Sequence, residues 1–140
     1  MSTADQPRYA PNIVSEEEFV KTVSDMAREV WDFHNRWGFG SGYFENTTPA
    51  GIINRRKEIL AEEIRELSEA VDENDTTGVL NEAADVLFVA IGHVEALGSA
   101  GLDGVRQVTA KNANKTEKTH AIRQDTGKLL PKEGKPHKWE

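Results

Sequence analysis

Apolar side chains recur at steps of three and four along most of the chain, and no stretch shows a convincing strand alternation. Ser15-Glu16-Glu17-Glu18 has the form of a capping box, a Ser oxygen for a free backbone N–H with Glu three residues on. From there Phe19, Val23, Met26, Val30, Phe33 or His34 and Trp37 predict an amphipathic helix ending near Gly38. Gly38 to Pro49 reads as a glycine-rich loop. A second helix is expected from about Pro49 to Asn74, with Ile53, Leu60, Ile64, Leu67 and Val71 as its stripe, followed by the turn and cap residues Asp75-Thr-Thr-Gly78. A third is expected from about Thr77 to Leu97. A break at Gly98-Ser-Ala-Gly101 leads to a fourth, from about Asp103 to Lys115. The remainder, with Gly127, Pro131, Gly134 and Pro136, reads as extended coil with turns. Short connections between four helices predict an all-α chain folded as an antiparallel four-helix bundle. Residues 1–14 would be an N-terminal arm, 15–118 the helical domain and 119–140 a basic tail.

Composition narrows the classes. The 140 residues suit one domain, and 37% hydrophobic with 29% charged side chains reads as globular. With no cysteine, disulfides and Cys-based zinc sites are excluded. No uninterrupted apolar run approaches the roughly 18 residues of a membrane span, and MSTADQPRYAPN lacks a signal-peptide pattern, so no membrane partner and a cytoplasmic address are expected. The net charge of −7 argues against general nucleic-acid binding. That charge is uneven: residues 1–100 carry 8 basic and 19 acidic side chains, residues 101–140 carry 9 and 5. The split matters only if the acidic part holds cations and the basic part an anion.

The second helix contains Glu62-Glu63-Ile64-Arg65-Glu66. At about 100° per residue, Glu63 sits about 60° and Glu66 about 120° from the centre of the apolar stripe, on the same side; Glu62, near 160°, is the least favourably placed. A lone motif of this kind also suits a solvated face with ion pairs. The third helix changes the balance. In VLNEAADVLFVAI ten of thirteen residues are apolar, so the helix should be covered on most sides, yet it contains Glu82 and Asp85. Buried carboxylates need a compensating cation. Acidic oxygen ligands on facing helices suit Mg²⁺ or Mn²⁺ better than zinc or copper. A di-iron bundle would need two core Glu-x-x-His motifs, and only Glu117-x-x-His120 has that spacing.

On the fourth helix Val105, Val108, Asn112 and Lys115 form a stripe that turns from valine to amide and ammonium, as if reaching a wet or charged site. A fraying helix end is the simpler account of Lys115. Lys118, Arg123, Lys128 and Lys132 follow. Metal-binding acids on one side and basic groups on the other can hold a polyphosphate, although a solvated basic tail has the same composition. Trp31, Phe33, His34 and Trp37 crowd one end of the first helix. They suit core packing or, with Asn35 and His34 at the edge, a stacking platform for a flat base. His93, on the face of Glu82, reads as a core or supporting histidine.

Glu62-Glu63-x-x-Glu66 followed by Glu82-x-x-Asp85 on consecutive helices resembles the EExxE…ExxD signature of the all-α MazG-like nucleotide pyrophosphohydrolases, whose relatives include the dimeric dUTPases and phosphoribosyl-ATP pyrophosphohydrolase. Asn112-x-x-Lys115 and the tail Ala121-Ile-Arg123-x-Asp125-x-Gly127-Lys128-Leu129-Leu130 extend the likeness over about residues 15–132. The resemblance implies hydrolysis of a nucleoside triphosphate to the monophosphate and diphosphate with Mg²⁺ or Mn²⁺, two or more ions. It implies Glu62, Glu66, Glu82 and Asp85 as metal ligands, with Glu63 ligating or orienting the attacking water. Asn112, Lys115, Arg123 and Lys128 would grip the phosphates. It further implies a homodimer or homotetramer, in a host cytoplasm if the chain is of phage origin. The stacking area of Trp31, Trp37 and Phe33 leans towards a purine such as dGTP, then dUTP. The competing readings are a non-catalytic, metal-stabilised interaction module and phosphoribosyl-ATP hydrolysis.

Overall fold

The computed structural model describes residues 13–41 and 47–132. Four helices follow in order: α1 (Glu16–Trp37), α2 (Pro49–Asp72), α3 (Thr76–Ala96) and α4 (Gly98–Ala113). Side-chain caps start the first three. Ser15, Thr48 and Asp75 accept from the backbone N–H of Glu18, Gly51 and Gly78 at 3.0–3.1 Å, and Pro49 opens α2 with the φ a first turn needs.

Two expected element boundaries are corrected. The break at 98–101 is the first turn of α4, because Gly98 turns the corner alone at φ +65° and Gly101 lets α4 close on α3. A Cβ on Gly101 would lie 2.3 Å from the Val94 carbonyl oxygen. The tail, read as coil, forms an antiparallel hairpin of β1 (His120–Ile122) and β2 (Leu129–Pro131), with Ile122 opposite Leu129 and Ala121 opposite Leu130. Three-residue strands are too short for alternation to show.

α3 is the hub, with α1, α2 and α4 each packed against it. Phe33 of α1 meets Phe88 of α3 edge-on at 5.5 Å. Ile52 and Ala70 of α2, Val30 of α1 and Ala96 of α3 are buried. Contrary to expectation, α3 is not covered on most sides: Leu80 is 55% exposed and Leu87 39%. Three helices around a fourth leave open grooves, so the predicted stripes are half-filled. By length and composition alone α3 could cross a membrane, with mean hydropathy 1.2 in its most apolar window, but it carries Glu82, Asp85, His93 and Glu95.

Candidate active site

Two polar clusters lie along the α2–α3 seam. Arg56 and Glu63 are seven residues apart on one face of α2, about 10 Å along the axis.

The first cluster is acidic. Glu63 and Glu66 of α2 and Glu82 of α3 present carboxylate oxygens within 4.8 Å of one another. Glu63 and Glu82 are half-buried, Glu66 is exposed, and the Oε2 atoms of Glu63 and Glu82 are buried without a hydrogen-bond partner. Desolvation is the main cause that raises the Glu82 carboxyl to about 7; the adjoining Glu63 carboxyl and the charges of Glu66 and Asp85 push the same way. Desolvation also raises Glu63, aided by Glu66 and Asp85, while the adjoining Glu82 carboxyl opposes the rise. Glu66 and Asp85 add negative charge beside the pair, so two buried oxygens without donors fit a divalent cation bound by oxygen ligands. Asp85 is exposed but within electrostatic reach, and Glu62, also exposed, is not one of the three.

The second cluster was not anticipated as a unit. Buried His34 of α1 donates from Nδ1 to Glu95 Oε1 at 2.6 Å, and the Ser41 backbone N–H donates to Glu95 Oε2 at 3.1 Å. Arg56 is 7% exposed and donates from Nε to His93 Nδ1 at 3.0 Å, which leaves His93 Nε2 as a buried, unpartnered donor. Desolvation and the neighbouring Arg56 lower the pKa of His93, keeping it neutral. Gly92 makes room: a Cβ there would sit 2.7 Å from an Arg56 terminal nitrogen and 3.0 Å from His34 Nε2. Arg56 fills the gap between Ile53 and Leu60, so a cation on an apolar stripe was the available signal.

The remaining candidates have other partners. His34 is committed to Glu95, and Asn35 donates its side-chain amide to the Trp31 carbonyl at 2.8 Å. Trp31 and Trp37 are 56% and 63% exposed. Asn112 is exposed and donates to the Val108 carbonyl, while Val105 and Val108 are 44% and 40% exposed, so the expected buried stripe on α4 is open. Lys115 is half-buried just beyond α4. Arg123 grips Asp125 through two bonds, at 2.7 and 3.0 Å, and Lys128 is exposed.

An all-α chain that gathers carboxylates from two successive helices into one unsatisfied cluster is of the kind that binds divalent cations. The family model of the MazG nucleotide pyrophosphohydrolase domain matches residues 53–123, half of the chain and all the acids of both clusters, and the chain belongs to that family. Membership supports a function of the nucleoside triphosphate pyrophosphohydrolase type, which is a hydrolase. No curated protein and no solved structure matches the chain.

Proposed function

We propose that the protein hydrolyses the α–β anhydride of a nucleoside triphosphate, giving the monophosphate and diphosphate. The observation that carries this reading is the pair of half-buried carboxylates, Glu63 and Glu82, each with a bare oxygen and with Glu66 close beside them. Glu66, Glu82 and Asp85 would hold Mg²⁺ or Mn²⁺, with Glu63 shared between cation and water. When bound, such an ion neutralises phosphate charge and makes water more acidic. Glu63 then accepts the proton of the attacking water, and its partial burial makes the carboxylate a stronger base than a solvated one. Lys115, Arg123 and Lys128 are the cations for the phosphates.

The exposed rings of Trp31 and Trp37 are stacking surfaces for a base, dGTP before dUTP. The functional unit is a homo-oligomer. Val30, Ile52, Ala70 and Ala96 are the buried apolar residues among those described, whereas Phe19, Trp31, Ile64, Leu80 and Leu102 are all at least half exposed. The test is diphosphate release from the common ribo- and deoxyribonucleoside triphosphates and phosphoribosyl-ATP, with Mg²⁺, Mn²⁺ or EDTA. Metal-dependent release from one or two triphosphates supports the proposal. Metal binding without any turnover would replace it with the interaction module.

A further inference from the structure

In the cluster around Glu95 the carboxylate is satisfied, but the basic side chains are not. Arg56 is 7% exposed and gives only Nε to a protein acceptor, His93 Nδ1 at 3.0 Å. Its two terminal nitrogens have no acceptor among the described residues. The same bond leaves the proton of neutral His93 on Nε2, a buried donor that also lacks a partner. Such donors have lost water and gained nothing, which is costly for a cation above all. His34 supplies the complement. With Nδ1 donating to Glu95, its neutral ring offers Nε2 as an acceptor.

Donor and acceptor meet over one glycine. A Cβ on Gly92 would lie 2.7 Å from an Arg56 terminal nitrogen and 3.0 Å from His34 Nε2, so the guanidinium and the imidazole stand side by side there. The charge of Glu95 acts on Arg56 and offsets it, which suits the slot to a neutral dipole better than to a phosphate. Phe39, 42% exposed, meets the His34 ring edge-on at 6.4 Å and adds a flat surface beside it. Arg56 and Glu63 share one face of α2, about 10 Å apart along the axis. That separation is of the order of the span from the α-phosphate of a nucleotide to the far edge of its base.

We propose that this slot reads the carbonyl edge of a nucleobase: the Arg56 guanidinium donates to the exocyclic oxygen of guanine or uracil, and His34 Nε2 accepts from the ring N–H beside that oxygen. Adenine and cytosine present the reverse pattern, an amino donor towards the guanidinium and a ring lone pair towards Nε2, so both contacts fail together. His93 positions the guanidinium through Nε, and Glu95 holds the His34 ring through Nδ1. The choice of a nucleobase as the ligand rests on the function proposed above; the unpartnered donors and the acceptor beside them do not.

The base edge is altered on the ligand first, which leaves the protein intact. Wild-type turnover is compared for dGTP, for dITP, which keeps O6 and the neighbouring N–H, and for the 2-aminopurine deoxynucleoside triphosphate, which lacks both. dITP should stay within several-fold of dGTP in kcat/KM, and the 2-aminopurine nucleotide should fall by about 10²-fold or more. dUTP should exceed dCTP in the same sense. Equal use of dITP and the 2-aminopurine nucleotide would overturn the proposal. Arg56→Lys keeps the charge but loses the planar fork. It should shrink the ratio between those two substrates to several-fold, mainly through KM for dITP, with Mn²⁺ binding unchanged. A folded Arg56→Lys protein that retains the wild-type ratio would also overturn it, because a merely structural arginine changes stability and not selectivity. If no triphosphate is hydrolysed, calorimetric binding of the same nucleotides with Mg²⁺ separates the claims. Preference for dITP over the 2-aminopurine nucleotide then supports the slot without the reaction, and equal binding or none overturns it.

Discussion

The two clusters on the α2–α3 seam use the same ingredients with opposite results. Glu95 has both oxygens occupied, one by His34 and one by the Ser41 N–H, with the Arg56 cation near enough to act on by charge. Glu63 and Glu82, about 10 Å away by helix rise, have a bare oxygen each and acids for neighbours. A satisfied buried carboxylate holds helices together. An unsatisfied one costs stability unless something else arrives to complete it. The comparison separates a carboxylate whose partners are in place from one that still lacks them.

The largest effect expected from breaking this contrast is on turnover. Glu63→Gln should lower kcat by about 10²–10⁴-fold. Its helical circular dichroism should be unchanged and its metal-free melting temperature no lower, because one member of a repelling pair is gone. Glu95→Ala should behave the other way. It removes the acceptor of two donors in a nearly closed site and should cost about 2–4 kcal/mol in urea unfolding, with metal affinity per folded molecule retained. Gly92→Ala presses a methyl on Arg56 and His34 and should cost about 1–3 kcal/mol.

A pH series sharpens the same contrast. The folded Glu82 carboxyl, at about 7, lies above the 4.5 of an ordinary Glu, so between those values the folded state binds more protons than the unfolded one. The stability of metal-free protein should therefore fall as pH rises from about 4.5 through 7. Saturating Mn²⁺ should flatten the trend and release a proton on binding below pH 7, which calorimetry in buffers of different ionisation enthalpy would detect. The smallest effect is expected at Lys115: its change to Ala should raise KM for the triphosphate several-fold at nearly constant kcat, as loss of a single charged contact does.

The helices and the acid pair were legible because each rests on local rules. Ser15 caps where its position before an apolar run requires, and the spacing of Glu63, Glu66, Glu82 and Asp85 puts them on two facing helices. Glu62 shows what a motif leaves open: it stands within the EExxE signature, about 100° of helix from Glu63, and is exposed as Glu66 and Asp85 are. What could not be read was long-range. Glu95 meets His34 across 61 residues, and only the packing of α1 on α3 joins them. Gly98 looked like the middle of a loop because glycine marks a turn equally well when the turn is one residue long. The hairpin escaped because three residues do not establish a period of two.

Titrating metal-free protein with Mn²⁺ and reading bound ion by electron paramagnetic resonance decides whether the bare carboxylates of Glu63 and Glu82 form a cation site and the Glu95 cluster does not. Saturable binding is expected in the wild type and in Glu95→Ala, greatly weakened in Glu63→Gln and Glu82→Gln. Equal binding in all four proteins, or loss in Glu95→Ala alone, would contradict it.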